Sequence, residues 1–208
     1  MKISELSDRS GLTVQTIKFY LREGLMPKGA ATGATRAEYG DGHLERLRLI
    51  RAMREVGDLP VFAIKRIIAA ADEPEVGLHE LLGTVQYALG PHVDAPADDP
   101  QWRAARADVD ALIAELGWRV TADAPARDLL AQTFVALRKL GFPVVLTELR
   151  PYIEAAMSLG EHEAGGLSTD EPRTRAIHRT LVTTVLYEQV LLALHRLARE
   201  HESARRLG

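Results

Sequence analysis

The 208 residues carry 26 Lys and Arg against 29 Asp and Glu, 46% are hydrophobic, and none is cysteine. Such a chain can build a core without covalent staples, and it excludes disulfides, thiolate metal sites and thiol redox sensing. The net charge of −3 conceals a split, because residues 1–70 hold 12 basic and 8 acidic side chains while the remainder hold 14 and 21. That split suits a polyanion-binding head on a non-binding body, although a solvated basic helix face gives the same count. The opening Met1-Lys2-Ile3-Ser4-Glu5-Leu6-Ser7-Asp8 has no long apolar run, so neither a signal peptide nor a membrane span is expected and the cytoplasm is the default location.

Ile3, Leu6 and Ser10 fall on one face of a short first helix, and Gly11 follows where a positive φ is cheap. Thr13 can cap a second helix with apolar positions Val14, Ile17, Leu21 and Leu25, ending at Gly24 and Pro27. Two short helices around so short a turn form a helix-turn-helix candidate, a pattern that generic helical hairpins share. Residues 28–40 are too rich in Gly and small side chains for a helix and suit a hairpin or wing. Leu44, Leu47, Ile50 and Met53 define a third helix whose other face bears Arg46, Arg48, Arg51 and Arg54, with Gly57 at its end; a fourth, with Ile64, Ile67 and Ile68 inward, follows Pro60.

These residues resemble the DNA-binding domain of the MerR family of bacterial transcription regulators. The resemblance covers about the first third of the chain and rests on Ile3–Ser7, on Thr13 to Pro27 (TVQTIKFYLREGLMP), on Arg36 and Tyr39, and on Leu47 to Gly57. Lys18 stands where the family more often has Arg, Leu21 where it has an acid, and Arg36 is three residues before Tyr39 rather than two. What the resemblance implies is a second helix in the major groove, with Gln15, Thr16 and Lys18 near bases, Tyr20 and Arg22 toward phosphates, and Lys28, Arg36 and Tyr39 on the flanking backbone, after the Thr13 cap. The chemistry agrees: Lys can donate to guanine, Gln to adenine, and phenols and guanidinium groups to phosphate oxygens.

Beyond the head, Val76 to Leu89 is amphipathic and stops at Gly90-Pro91, where the family commonly begins a long dimerisation helix. Residues 90–101, with three prolines and three aspartates, read as a linker. The pattern is then helical throughout: Trp102 to Leu116 ended by Gly117; a helix opened by Asp123 and Pro125 and ended by Gly141; a third from about Thr147 to Leu159 with Pro151 in its first turn or at a kink; an acidic Gly-rich loop from Gly160 to Asp170; and a long helix from about Pro172 to Ala204. The expected fold is therefore mainly all-α, a winged helix-turn-helix head plus an all-helical bundle of four or more helices. Its domains are 1–72 for DNA binding, 73–101 for a short helix and linker, and 102–208 for effector binding, dimerisation or both.

Aromatic residues are few in the body, so Trp102, Phe134, Tyr152 and Tyr187 are candidates to line a ligand pocket, with simple core filling as the alternative. Glu188 interrupts an apolar helix and could receive a cationic ligand, or could lie on a narrow solvent face with Thr184, His195 and Arg199. Glu161-His162-Glu163 makes a poor metal site because adjacent residues rarely converge, and no cofactor or catalytic motif is present. The expected function is a one-component regulator that binds promoter DNA as a homodimer, acts on RNA polymerase indirectly, and changes DNA shape in response to a small organic effector, cationic or drug-like. The rivals are a drug-sequestering protein and a ligand-independent architectural or developmental regulator. Cytoplasmic, nucleoid-associated placement accompanies the favoured reading.

Overall fold

The computed structural model describes residues 1–32, 37–90, 93, 94, 96, 98–168 and 170–208. Its elements are α1 (Ile3–Ser10), α2 (Val14–Arg22), β1 (Ala30–Ala31), β2 (Ala37–Glu38), α3 (Asp41–Glu55), α4 (Val61–Asp72), α5 (Leu78–Leu89), α6 (Pro100–Glu115), α7 (Pro125–Lys139), α8 (Leu146–Ala164), α9 (Arg173–Val182), a π-helical turn (Thr183–Tyr187) and α10 (Glu188–Leu207). The mainly helical class with a two-stranded wing is as expected. By contact the chain forms two compact units, residues 1–89 with 168–208 and residues 90–167. The division at 72 and 101 follows composition rather than these contacts.

The first unit begins with two locally determined helix ends. Gly11 at φ 69° terminates α1, its N–H bonding the Ser7 carbonyl, and the Thr13 hydroxyl accepts from the Thr16 N–H at 3.1 Å to start α2. The wing pairs Ala30 with Glu38 and Ala31 with Ala37, antiparallel. Gly29 is required there, because a Cβ would lie 2.7 Å from the Glu38 carbonyl oxygen. Leu6, Ile17, Leu47, Ile50, Met53, Ile64, Ile67 and Leu81 are fully buried together, and Ile177 and Leu181 of α9 join them. Arg173 fastens the start of α9 by donating to the backbone carbonyls of Glu73 and Val76.

Three sequence expectations change in detail. The helix expected to end near Leu159 continues to Ala164, so the loop begins later; Glu161 to Ala164 favour helix enough to offset the roughly 1 kcal/mol that an interior Gly160 costs. Ala124, not Asp123, occupies the N-cap of α7, with Pro125 as its first residue. The long last helix is one 35-residue rod, Arg173–Leu207, broken by the π turn at Thr183. The Thr183 hydroxyl donates to the Arg179 and Thr180 carbonyls, both at 3.1 Å, which competes with the regular ladder at that point.

The second unit has three helices. Trp102, Ala105 and Val109 of α6 pack on Ala131 and Phe134 of α7, while α8 contributes no fully buried residue. Arg106 and Arg127 interlace with Asp110 and Asp128, Arg127 reaching Asp110 at 2.5 Å and Arg106 reaching Asp128 at 3.1 Å. The expected bundle of four or more helices is thus a trio here, since α9 and α10 belong to the first unit.

Gly57 provides a test of how α9 docks. A Cβ at Gly57 would lie 3.0 Å from Leu181, from Leu89 and from the Met53 carbonyl oxygen. Gly57→Ala is expected to destabilise the protein by about 1–3 kcal/mol, read as a lower urea midpoint at unchanged slope; an unchanged midpoint would show that the contact yields without cost.

Candidate nucleic-acid interface

The helix α2 is two-faced. Ile17 and Tyr20 are buried in the core, and Gln15, Lys18 and Arg22 are exposed on the other side. Thr13, Gln15, Thr16, Tyr20 and Arg22 line one open depression of about 500 Å³, together with Phe19, Arg54 and Val61. The structure therefore brings together five of the nine residues that the sequence singles out for DNA. Lys18 is exposed on the same short helix and Lys28 is exposed at the entry to the wing. Tyr39 is buried, its ring edge-on to His43 at 5.2 Å, so its ring belongs to the core. Arg36 lies outside the described residues.

Phe19, Arg54 and Val61 are the three members of the depression that sequence reasoning did not assign to DNA. Arg54 donates to the Leu59 carbonyl at 2.8 Å, which fixes the turn after α3. The signal available was only its place among the arginines of α3, and the others have mixed roles. Arg46 pairs with Asp72, and Arg51 donates to Glu55 at 2.8 Å and to the Ser10 carbonyl at the end of α1. Arg51 thus sits against the negative end of the α1 dipole. Arg48 is exposed. Lys65 on α4 meets Glu23 at 2.6 Å, tying α4 to the residue that closes α2.

Burial raises the Tyr20 phenol above its ordinary value of 10.0, with Arg54 opposing and Glu55 adding to the shift. The phenol is therefore neutral near pH 7 and keeps its O–H donor.

The ligand candidates divide between the two units. Phe134 and Tyr152 line one apolar cavity of about 250 Å³ between α6, α7 and α8. Trp102 is buried in the same unit but is not in that lining. Tyr187, in the π turn, and Glu188, at the start of α10, are exposed on the first unit. Among the described residues no group of three or more His, Asp or Glu could hold a metal ion.

Residues 1–71 match the MerR HTH family regulatory protein domain. The chain is 35% identical over 68 residues to the HTH-type transcriptional regulator ZntR homolog of Haemophilus influenzae, a third of this chain (33%) and 50% of that protein. It is 29% identical over 80 residues to the mercuric resistance operon regulatory protein of Bacillus cereus, 38% of this chain and 60% of that one. The chain spans about half to three-fifths of the length of these curated relatives. A crystal structure of a Streptomyces coelicolor A3(2) protein described as a transcriptional regulator is similar over 100% of this chain and 98% of that one, at 34% identity and a TM-score of 0.70.

Tyr20 yields a signed pH dependence. Its folded pKa lies above the unfolded 10.0, so the folded state holds the proton more tightly. The associated stability is intact below pH 10.0 and is lost as pH rises through the raised value. Thermal melts from about pH 9 upward should show this decline in the wild type and a shallower one in Tyr20→Phe; equal slopes would contradict the assignment.

Proposed function

This chain belongs to the MerR family of helix-turn-helix regulatory proteins, and we propose that it binds double-stranded promoter DNA as a homodimer and alters the shape of that DNA when a small organic effector occupies its helical body. The observation that carries the DNA part is the depression on α2, where exposed polar and basic side chains converge on a helix anchored by Ile17 and Tyr20. Gln15, Thr16 and Lys18 read base edges, Arg22 and the Tyr20 hydroxyl hold phosphates, and Lys28, Arg36 and Tyr39 serve the wing. Two such heads on a two-fold axis meet successive major grooves of a pseudo-palindrome. Effector binding shifts the population between two DNA shapes and so reaches RNA polymerase indirectly. Action on promoter DNA places the protein in the cytoplasm, at the nucleoid.

The homodimer has its own support in α10. Tyr187 of the π turn and Val190, Leu191, Leu194 and Leu197 of α10 are 44 to 62% exposed, an apolar stripe that a lone helix would hold against water at a large cost. A second copy running antiparallel about Ala193 and Leu194 would cover it and set Glu188 opposite Arg199. By length and composition one window of the rod could also cross a membrane, which the crosslinking below separates from pairing.

The name of one relative carries mercuric resistance, but the donors here do not suit a soft metal. There is no cysteine in the chain and no His, Asp or Glu cluster among the described residues. The similarity to that relative extends over only 80 residues. An organic effector fits the apolar cavity of the second unit better.

Two experiments test the reading. In binding assays across operator variants, Lys18→Ala should change the preferred sequence, with about 1–3 kcal/mol lost at the base it reads, whereas Arg22→Ala should weaken all sequences alike and reduce the salt slope by about 1. Identical specificity profiles would overturn these roles, and absence of DNA binding in the wild type would favour a sequestering protein. Because the chain has no cysteine, Leu194→Cys introduces a single thiol near the expected two-fold axis. Oxidation should give a covalent dimer, while Leu207→Cys should give none, since antiparallel ends lie roughly 40 Å apart at the helical rise. A monomer that crosslinks through neither thiol overturns the dimer.

A further inference from the structure

The helices of the second unit direct apolar stripes at a space that none of them fills. From α6 and its C-cap come Val109, Ile113 and Leu116, and from α8 come Leu149, Ile153 and Ala156. Each set has the i, i+4, i+7 spacing by which a helix presents a core face. Two such faces ordinarily meet, as α6 and α7 do where Ala105 and Val109 pack on Ala131 and Phe134. Here α8 stands off from that pair, buries no residue fully, and leaves an apolar cavity of about 250 Å³. An unfilled apolar cavity lowers stability in proportion to its volume, and an apolar guest restores what was lost.

The wall discriminates by charge. No carboxylate lines it among the described residues, so an ammonium meets no counter-ion. Glu188, which the sequence offers for a cation, belongs to the other unit. Arg127 is the cation of the lining, and its guanidinium is already engaged, donating to Asp110 at 2.5 Å and to the Val120 carbonyl at 2.6 Å. A carboxylate would therefore give up its hydration without gaining a free positive charge. What remains to hold a ligand is shape and buried apolar area. An apolar cavity of about 150 Å³ takes benzene, so this larger one suits roughly two fused rings. Tyr152, 64% exposed, marks the side of the cavity that opens to solvent.

Resting on the reading of this protein as an effector-responsive regulator, we propose that the effector is an uncharged, hydrocarbon-rich molecule of about two fused rings, which inserts between α8 and the α6–α7 pair and supplies the missing layer of that core. Ions of the same shape are rejected because the wall repays none of their hydration.

Naphthalene, naphthoate and naphthylmethylammonium test this on the full-length protein by calorimetry. Naphthalene should bind at least about tenfold more tightly than either ion and should raise the melting temperature. Ile153→Trp fills the cavity from its half-buried α8 wall and should abolish naphthalene binding, as should Leu149→Trp if the first variant does not fold. Val190→Trp, on the exposed stripe of α10, should leave binding unchanged. Retention of binding in the folded cavity variant, or its loss in Val190→Trp, overturns the site. So does equal or tighter binding of an ion, or no binding of naphthalene by the wild type, whatever the fate of the variants. The same titration with a DNA fragment that the protein selects from a random pool distinguishes the two levels. Naphthalene binding that leaves DNA affinity unchanged overturns the effector role while the site stands, and DNA binding with no naphthalene binding overturns the site while the DNA reading stands.

Discussion

A nine-residue helix is too short to persist alone in water, yet α2 must hold Gln15, Lys18 and Arg22 in fixed positions if it is to read a groove. What fixes it is the burial of Ile17 and Tyr20 on its inner face and Leu25 just beyond its end. The remaining elements of the first unit secure that burial. The third helix supplies Leu47, Ile50 and Met53 beneath it, α4 supplies Ile64 and Ile67, and Lys65 holds Glu23 at the exit of α2. The outward side chains can therefore be exchanged without touching the core, because the two faces of the helix answer to different constraints.

The same separation explains what was legible in the sequence. Gly11 and Thr13 act through their own backbone and the next turn, so the helix-turn-helix could be read from local chemistry, and the ordered motif through Gly57 made the resemblance specific. The use of the arginines on α3 was not legible, because Asp72 lies 26 residues from Arg46 and the Ser10 carbonyl 41 from Arg51. The placement of the last helix was hidden for a similar reason. Ile177 and Leu181 look like members of any amphipathic helix, and only packing against α3 and α5 assigns them to the first unit. Among the ligand candidates, aromatic type found Phe134 and Tyr152 but could not separate cavity wall from core or from exposed helix.

The two units also differ in how completely they are packed. The first has a continuous core drawn from α1 to α5 and α9, whereas the second has a tight α6–α7 pair and a third helix laid over it with apolar residues such as Tyr152 and Met157 in contact with solvent. In a domain packed this way, a ligand that completed the core would release free energy, and its occupancy would be coupled to the order of α8. A fully packed domain would have no such response to offer.

Charge bookkeeping then narrows how the head can hold DNA. Counted over the compact units, the first has 19 basic and 17 acidic residues and the second 7 and 12. The basic excess seen in residues 1–70 is thus largely offset within its own unit by Asp72, Glu73, Glu75 and Glu80 at the end of α4, in the following turn and on α5. Several of its cations are already engaged, Arg46 with Asp72, Arg51 with Glu55, and Lys65 with Glu23. A diffuse positive field cannot account for affinity in such a unit, so attraction must come from the few exposed cations placed around α2 and the wing. Nearly neutral overall charge is therefore compatible with DNA binding, and it would favour sites where groove contacts, which we propose for Gln15 and Lys18, add to the phosphate contacts.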